Sequence, residues 1–192
     1  MTSTDELAGP RRRADAQRNY QALLAAAAKA FADEGPQASM HGIARQAGVG
    51  IGTLYRHFPT REDLLEAVFL SRMDSLRAEA EALADHPSPL DGLTRWLRCH
   101  IESGRGGRSL AASVLAAQLD EDKDPEGGCA AMAAAGQVLL DRAVAAGQVR
   151  ADVRLYDLIK TAQAIVLVAE TAPERDELAE RMLDLLIHGV RP

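Results

Sequence analysis

The stretch that most constrains the fold is SMHGIARQAGVGIGTLYRHFPTREDL, from Ser39 to Leu64. Apolar residues recur at helical spacing on both sides of its AGVG segment, which predicts two short helices around a bend. They are Met40, Ile43, Ala44 and Ala47 before the bend, and Leu54 and Phe58 after it. Gly48 supplies a left-handed position for the turn, and Val49 supplies a hydrophobe to bury there. This is the helix-turn-helix pattern, although spacing alone equally allows a helical hairpin that merely packs.

The side chains of the second short helix favour the first interpretation. Leu54 and Phe58 occupy one face, which leaves Ile51, Gly52, Thr53, Tyr55 and Arg56 on the other. A hairpin that only packs has no need of Thr, Tyr, Arg and His on its solvent face, whereas a helix that enters the major groove of DNA does.

The rest of the chain is predicted to be helical as well, because no run shows strand alternation. We predict an all-α fold of about nine helices. The first runs from about Asp15 to Asp33, an Ala-rich helix ends near Leu119, and the last two span about Arg154–Glu170 and Glu174–His188. Thr60 and Asp63 form a capping box for the helix after the helix-turn-helix.

Composition excludes several classes of protein. The chain has 192 residues, 47% of them hydrophobic, which suits one or two domains with a real core. Its longest apolar runs are far shorter than the ~20 residues of a membrane span, and its N-terminus has no apolar signal region. The two cysteines and five histidines show no zinc or other metal spacing. We therefore expect a cytoplasmic protein with no membrane association, no metal, no cofactor and no enzyme activity.

Charge is distributed unevenly along the chain. The net charge is −6, yet the segment through Arg61 carries eight Lys and Arg against five Asp and Glu, so that this segment is +3 and the remainder −9. Such asymmetry points to a polyanion partner for the basic part. Arg11, Arg12 and Arg13 precede the predicted first helix, either as a solvated terminus or as an arm that reaches phosphate or the minor groove.

The segment IARQAGVGIGTLYRHFPTREDLLEAV resembles the DNA-binding signature of the TetR family of transcriptional repressors. The resemblance is close over the first third of the chain, and further on it extends only to length and helical character. It implies a flexible basic arm over residues 1–14, a helix-turn-helix DNA-binding domain over 15–59, and a ligand-binding and dimerisation domain over 60–192. Gly50 departs from the family pattern, which usually has Ser, and Ile51 stands where a polar residue is common.

The resemblance also implies roles for individual residues. Ser39 would cap the second helix and touch phosphate, and Arg45 would lie near the DNA backbone. Tyr55 and His57 would point at phosphates, and Arg61 takes the place of the family's Lys. The implied DNA-binding residues are Ser39, Arg45, Gly50, Ile51, Gly52, Thr53, Tyr55, Arg56, His57 and Arg61.

In the acidic body, the last two predicted helices are apolar on two sides, which indicates either a central position or a shared interface. The family resemblance assigns them to the interface of a homodimer, with Leu158, Ala162, Ile165, Leu183, Leu186 and Ile187 as its candidate residues. It also implies a small-molecule ligand, for which Trp96, Cys99, His100, Leu115, Gln118 and Met132 are candidate contacts, although a residue of this kind is more often ordinary core.

These features predict a homodimeric regulator, usually a repressor, that a small molecule releases from a palindromic double-stranded DNA operator. The alternative is a helical small-molecule-binding or protein-interaction module that has lost specific DNA binding, and Gly50 and Ile51 are the residues that favour it.

Overall fold

A computed structural model describes residues 10–104 and 128–192, and in this part of the chain every regular element is a helix. The helices are α1 (Pro10–Glu34), α2 (Met40–Gln46), α3 (Ile51–His57), α4 (Arg61–Leu83), α5 (Pro89–Gly104), α6 (Gly128–Ala145), α7 (Leu155–Ala169) and α8 (Arg175–Gly189). The all-α prediction is confirmed. The predicted helix that ends near Leu119 lies outside the described residues. Within them, no helix is long and apolar enough to cross a membrane.

The first helix begins earlier than predicted. It starts at Pro10, so Arg11, Arg12 and Arg13 belong to its first turn rather than to an arm before Asp15. The physical reason is local: proline is well suited to the first position of a helix, and arginine has a high helix propensity.

The boundary between the two compact units of the chain also differs from the prediction. It falls between Phe69 and Leu70, inside α4, and not before Thr60. The first turns of α4 belong to the N-terminal unit because Leu64 and Val68 are buried in that unit's core. A capping box starts a helix, and it does not mark where one core gives way to another.

The N-terminal unit is held together by a single cluster of buried side chains. They come from α1 to α4 and from the α1–α2 loop: Leu23, Leu24, Ala26, Ala27, Ala30, Phe31, Ala38, Met40, Ile43, Ala44, Leu54, Phe58, Leu64 and Val68. Leu54 of α3 is completely buried, and Phe58 just beyond the helix is 3% exposed. These two side chains fix the face of α3 that the unit uses internally, and therefore the face that it leaves to solvent.

The second unit is built around α5. This helix is amphipathic and packs against α6, α7 and α8, with Trp96 and Leu97 completely buried. The Trp96 indole N–H donates to the carbonyl of Leu76 on α4 at 2.9 Å, which satisfies the only polar atom of that side chain. Trp96 therefore belongs to the core of this unit.

Candidate nucleic-acid interface

The turn between α2 and α3 has the geometry that its sequence predicts. Gly48 has a φ of 70°, a conformation that side-chain-bearing residues rarely adopt. Its N–H donates to the carbonyl of Arg45 at 3.1 Å, and the N–H of Val49 donates to that of Ala44 at 3.0 Å. This pair of bonds is a Schellman motif, which ends α2 and turns the chain into α3.

The two short helices begin differently. Ser39 is an exposed N-cap whose Oγ accepts a hydrogen bond from the N–H of Gly42 at 3.2 Å. Gly50 occupies the N-cap of α3 in an extended conformation, without a side-chain bond to the helix. Both features match the sequence interpretation: the cap of α2 is present, and the cap of α3 is the weaker one.

The two short helices and their N-caps carry nine of the ten predicted DNA-binding residues, all except Arg61. Of the ten, those with exposed side chains or backbone are Ser39, Arg45, Gly50, Gly52, Tyr55 and Arg56. The Tyr55 side chain is 46% exposed, which is unusual for a residue of its size. Thr53 is half-buried on the same helix. These groups combine cations and hydroxyls with bare backbone, a set that suits contact with phosphates and base edges.

Two of the predicted contacts are less available than expected. Ile51 is half-buried and packs against the core of the unit, so its side chain offers only part of its surface to a thymine methyl. His57 is half-buried too, with its ring in an edge-on contact with Tyr20 at a centroid distance of 5.8 Å. The sequence analysis did not identify Tyr20 of α1 as a support for α3, although a large aromatic side chain in an amphipathic helix is a signal for the core.

Arg61 lies at the start of α4, as the family resemblance implies, but it makes contacts that the resemblance did not imply. Its Nη1 donates to the carbonyl of Pro36 at 3.0 Å and also to that of Ala38, so this arginine binds the loop before Ser39. The side chain is half-buried, and it joins the start of α4 to the start of α2. Its role in the structure is to hold the loop, in addition to any phosphate that it contacts.

An open groove of about 680 Å³ runs beside α2. Its lining consists of Glu34, Ser39, His41, Gly42, Ala44, Arg45, Val49 and Ile51. Two predicted backbone-contacting residues, Ser39 and Arg45, are therefore in one groove. His41 is exposed in the same groove and was not predicted as a contact. Its position two residues after the N-cap Ser39 could have identified it.

In the second unit, the candidate ligand contacts differ in their burial. Trp96 and His100 are buried on α5, Met132 is buried on α6, and Cys99 is half-buried; Leu115 and Gln118 lie outside the described residues. Burial, followed by the nearby carboxylates of Glu79 and Glu102, raises the pKa of the Cys99 thiol. Cys99 is therefore not an activated thiolate.

The predicted dimer-interface residues require a correction. Leu158, Ala162, Ile165, Leu183 and Ile187 are at most 5% exposed, because they form the protomer's own core; of the six, only Leu186 is half-exposed. The apolar side chains that α7 and α8 present outward are different: Val168 is 48% exposed and Leu185 is 73% exposed. Five of the six predicted residues are therefore not available on the surface of the protomer.

One partly buried cation escaped the sequence analysis. Arg72 of α4 is half-buried beside Met73, and its guanidinium bonds to α5 through Ser103 and the carbonyl of His100. The sequence signal that could have identified Arg72 is its position four residues before the buried Leu76, which puts both residues on the core-facing side of α4.

Comparisons with known proteins agree with this geometry. A family model of bacterial regulatory proteins, the tetR family, matches residues 23–68, and a model of the SbtR-like transcriptional regulator C-terminal domain matches residues 88–192. A TetR transcriptional regulator from Streptomyces coelicolor is 35% identical, with a TM-score of 0.73 over 90% of this chain and 98% of its own. A TetR transcription regulatory protein from Mycobacterium vanbaalenii is 34% identical, with a TM-score of 0.69 over 94% and 99%.

Among curated relatives, an HTH-type transcriptional regulator of Staphylococcus aureus (strain USA300) is 43% identical over 63 residues. That match covers 32% of this chain and 34% of the relative, so the chain aligns with about a third of that protein's length.

Proposed function

The chain belongs to the TetR family of bacterial transcriptional regulators, and from that premise we propose that it binds a palindromic DNA operator as a homodimer and is released from it by a small molecule. The observation that carries the proposal is the outer face of α3. There Gly52, Tyr55 and Arg56 are exposed, beside a groove that contains Ser39 and Arg45.

The physical roles follow from the chemistry of these groups. Arg45, Arg56 and the hydroxyl of Tyr55 contact phosphates, which sets the position of the protein on the duplex. Gly52 and Thr53 let the start of α3 approach the base edges closely, because neither has a bulky side chain. Because Ile51 is half-buried, only part of its side chain is available for contact with a base. Gly50 removes one side-chain cap and does not remove the helix, so the alternative of a module without DNA binding is not supported.

A homodimer is proposed because one short helix reads few base pairs. Two copies related by a twofold axis double the site, with half-sites ~34–36 Å apart. The face that includes Val168 of α7 and Leu185 of α8 supports this assembly, since large apolar side chains exposed on adjoining helices are costly to leave in water.

We propose small-molecule control through the second, C-terminal unit. Solved structures of the same fold include a gamma-butyrolactone receptor and a Mycobacterium smegmatis regulator in complex with proflavine, at 24% and 23% identity. A ligand that prefers the state in which the two α3 helices no longer match successive major grooves weakens operator binding, and the operator weakens ligand binding equally. The family consists of regulators rather than enzymes, and we place the protein where bacterial DNA lies, in the cytoplasm.

The test is an unbiased selection of duplex DNA from a random library by the purified protein at ~150 mM salt, where non-specific phosphate binding is weak. A palindromic motif is expected. Recovery of no motif by a folded, dimeric protein without bound small molecules would contradict operator binding.

A further inference from the structure

Arg72 is a half-buried cation without a carboxylate partner in the described part of the chain. Its Nε donates to Ser103 Oγ at 3.0 Å, and its Nη2 donates to the His100 carbonyl at 3.3 Å. Both acceptors are uncharged. Burial lowers the pKa of Arg72 to about 10, so the group is still charged at neutral pH. A guanidinium that is partly withdrawn from water and bonded only to neutral groups lacks a counter-charge, and an anion placed against it would supply one.

The ring of His100 lies next to this cation with its own hydrogen-bonding capacity unused. The side chain is 1% exposed, and neither Nδ1 nor Nε2 has a partner among the described residues. Burial, together with the positive charge of Arg72, lowers the pKa of His100 to about 3. The ring is therefore neutral near pH 7 and offers one N–H donor and one acceptor. Buried polar groups in native proteins are nearly always bonded, so two open ring nitrogens indicate a missing partner.

The groups next to these two side chains include apolar ones. A Cβ built on Gly104 would lie 3.2 Å from Arg72 Nη2 and 2.9 Å from Cγ2 of Val166, so the glycine makes room for the guanidinium beside an aliphatic wall. The ring centroids of Trp96 and His100 are 6.2 Å apart. A ligand that meets Arg72 here has its remaining atoms among hydrocarbon and aromatic groups.

We propose that the effector of this regulator is an apolar carboxylic acid, whose carboxylate binds the guanidinium of Arg72 and whose oxygen or neighbouring polar group bonds to the ring of His100. This rests on the proposed function and names the chemistry of its ligand. A carboxylate suits the planar fork of an arginine. A phosphomonoester would bring nearly two negative charges to a single half-buried cation, and its excess charge would remain unpaired.

The experiment uses the full chain and three defined probes, octanoate, decanoate and phenylacetate, each beside its uncharged primary amide. Trp96 is the only tryptophan of the chain, so its fluorescence reports binding next to His100. We expect at least one acid to bind about 10-fold or more tightly than its amide, as a charge-assisted pair implies. Binding of octyl phosphate in preference to all three acids, or equal binding of every acid and amide, would overturn the proposal.

Two variants separate a binding role from a structural one. Arg72→Met keeps the length of the side chain and removes its charge, so it should abolish the preference for acids over amides while the free protein keeps its fold and nearly its Tm. Arg77→Met is the matched control, since Arg77 lies on the same helix and is paired with Asp74 and Glu81 at the surface. It should retain acid binding. A large fall in Tm for Arg72→Met would show that the cation is structural and would overturn the proposal.

A third variant keeps the experiment decisive if Arg72→Met fails to fold. His100→Phe retains the cation and should weaken acid binding several-fold without removing the preference over the amide; unchanged acid binding would contradict the role of His100. Operator binding by the free protein is measured in parallel. Its failure would concern the proposed function, whereas failure of acid binding with intact operator binding concerns the ligand alone.

Discussion

Trp96 of α5 packs directly on Gly136 of α6: a Cβ built on the glycine would lie 2.4 Å from Cη2 of the indole. No side-chain-bearing residue occupies such a position without displacing the ring. This contact fixes the distance between α5 and α6, and it explains a glycine in the middle of a helix, where glycine is otherwise unfavourable.

Gly136→Ala is expected to destabilise the protein by about 1–2 kcal/mol, because overpacking exceeds the gain in helix propensity. The emission maximum of Trp96 fluorescence should shift as well, because the indole is displaced. Gly52→Ala is the matched control. Gly52 is also helical, but an added Cβ there meets nothing within 4 Å, so this change should stabilise the fold slightly. Urea unfolding measures both, and a stabilised Gly136→Ala variant would contradict the packing argument.

Signals that depend on a few neighbouring residues were predicted well. Ser39 as a cap, Gly48 in the left-handed region, and the Thr60–Asp63 capping box are all present. Each requires only the chain within about three residues, so the sequence contains the whole cause.

Choices between two apolar faces were not predictable in the same way. Leu183 and Leu185 both lie on α8, yet the first is completely buried and the second 73% exposed. Both are leucines on a helix that is apolar on two sides, and only the packing of α7 and α5 decides which one turns inward. The same limit hid Arg72, whose burial depends on α5.

Arg61 and the α1–α2 loop supply a second prediction. Arg61→Met should destabilise the protein by about 1–2 kcal/mol and also weaken operator binding, since the hydrogen bonds to the Pro36 and Ala38 carbonyls position the loop before Ser39. Arg56→Met is the control because Arg56 is exposed on α3: it should weaken operator binding with little change in stability. Equal stabilities for the two variants in urea unfolding would show that Arg61 acts only on DNA.

Tyr55 provides the most direct test of the outer face of α3. Tyr55→Ala should weaken operator binding by about 10-fold, as loss of a phosphate contact and its aromatic surface implies, while the fold is retained. Tyr156 has nearly the same exposure, 45% against 46%, but lies on α7. Tyr156→Ala should leave operator affinity unchanged in fluorescence anisotropy. An effect below ~2-fold for Tyr55→Ala would contradict its assignment.

His100 makes stability depend on pH in a defined direction. Its pKa is lowered from 6.5 to about 3 in the folded protein, so between these values the unfolded chain binds a proton that the folded chain does not. Stability is therefore fully present above pH 6.5 and decreases as the pH falls toward 3, by up to ~1.4 kcal/mol per pH unit. His100→Leu lacks this contribution. The unfolding free energy of the wild type minus that of the variant, measured at pH 7, 6 and 5, should therefore decrease as the pH falls. A constant difference would contradict a neutral buried ring.

The exposed face of α8 predicts the behaviour of the dimer. Leu185→Glu should shift the protein toward monomers in analytical ultracentrifugation without unfolding it, because a charge replaces an apolar side chain at the proposed interface. Val138→Glu changes a residue of comparable type on α6, where the side chain is 47% exposed, and should leave the dimer intact. Dissociation by both variants, or by neither, would place the interface elsewhere.

The central claim is that two copies of α3 read two half-sites on one face of a DNA duplex. It is tested most directly by measuring affinity and stoichiometry for the selected operator and for the same operator with five base pairs inserted between its half-sites. Half a turn of DNA moves one half-site to the opposite face. The account predicts a complex with an even number of protomers on the intact site and a loss of about 100-fold or more in affinity on the lengthened one. Equal affinity for the two duplexes would contradict it.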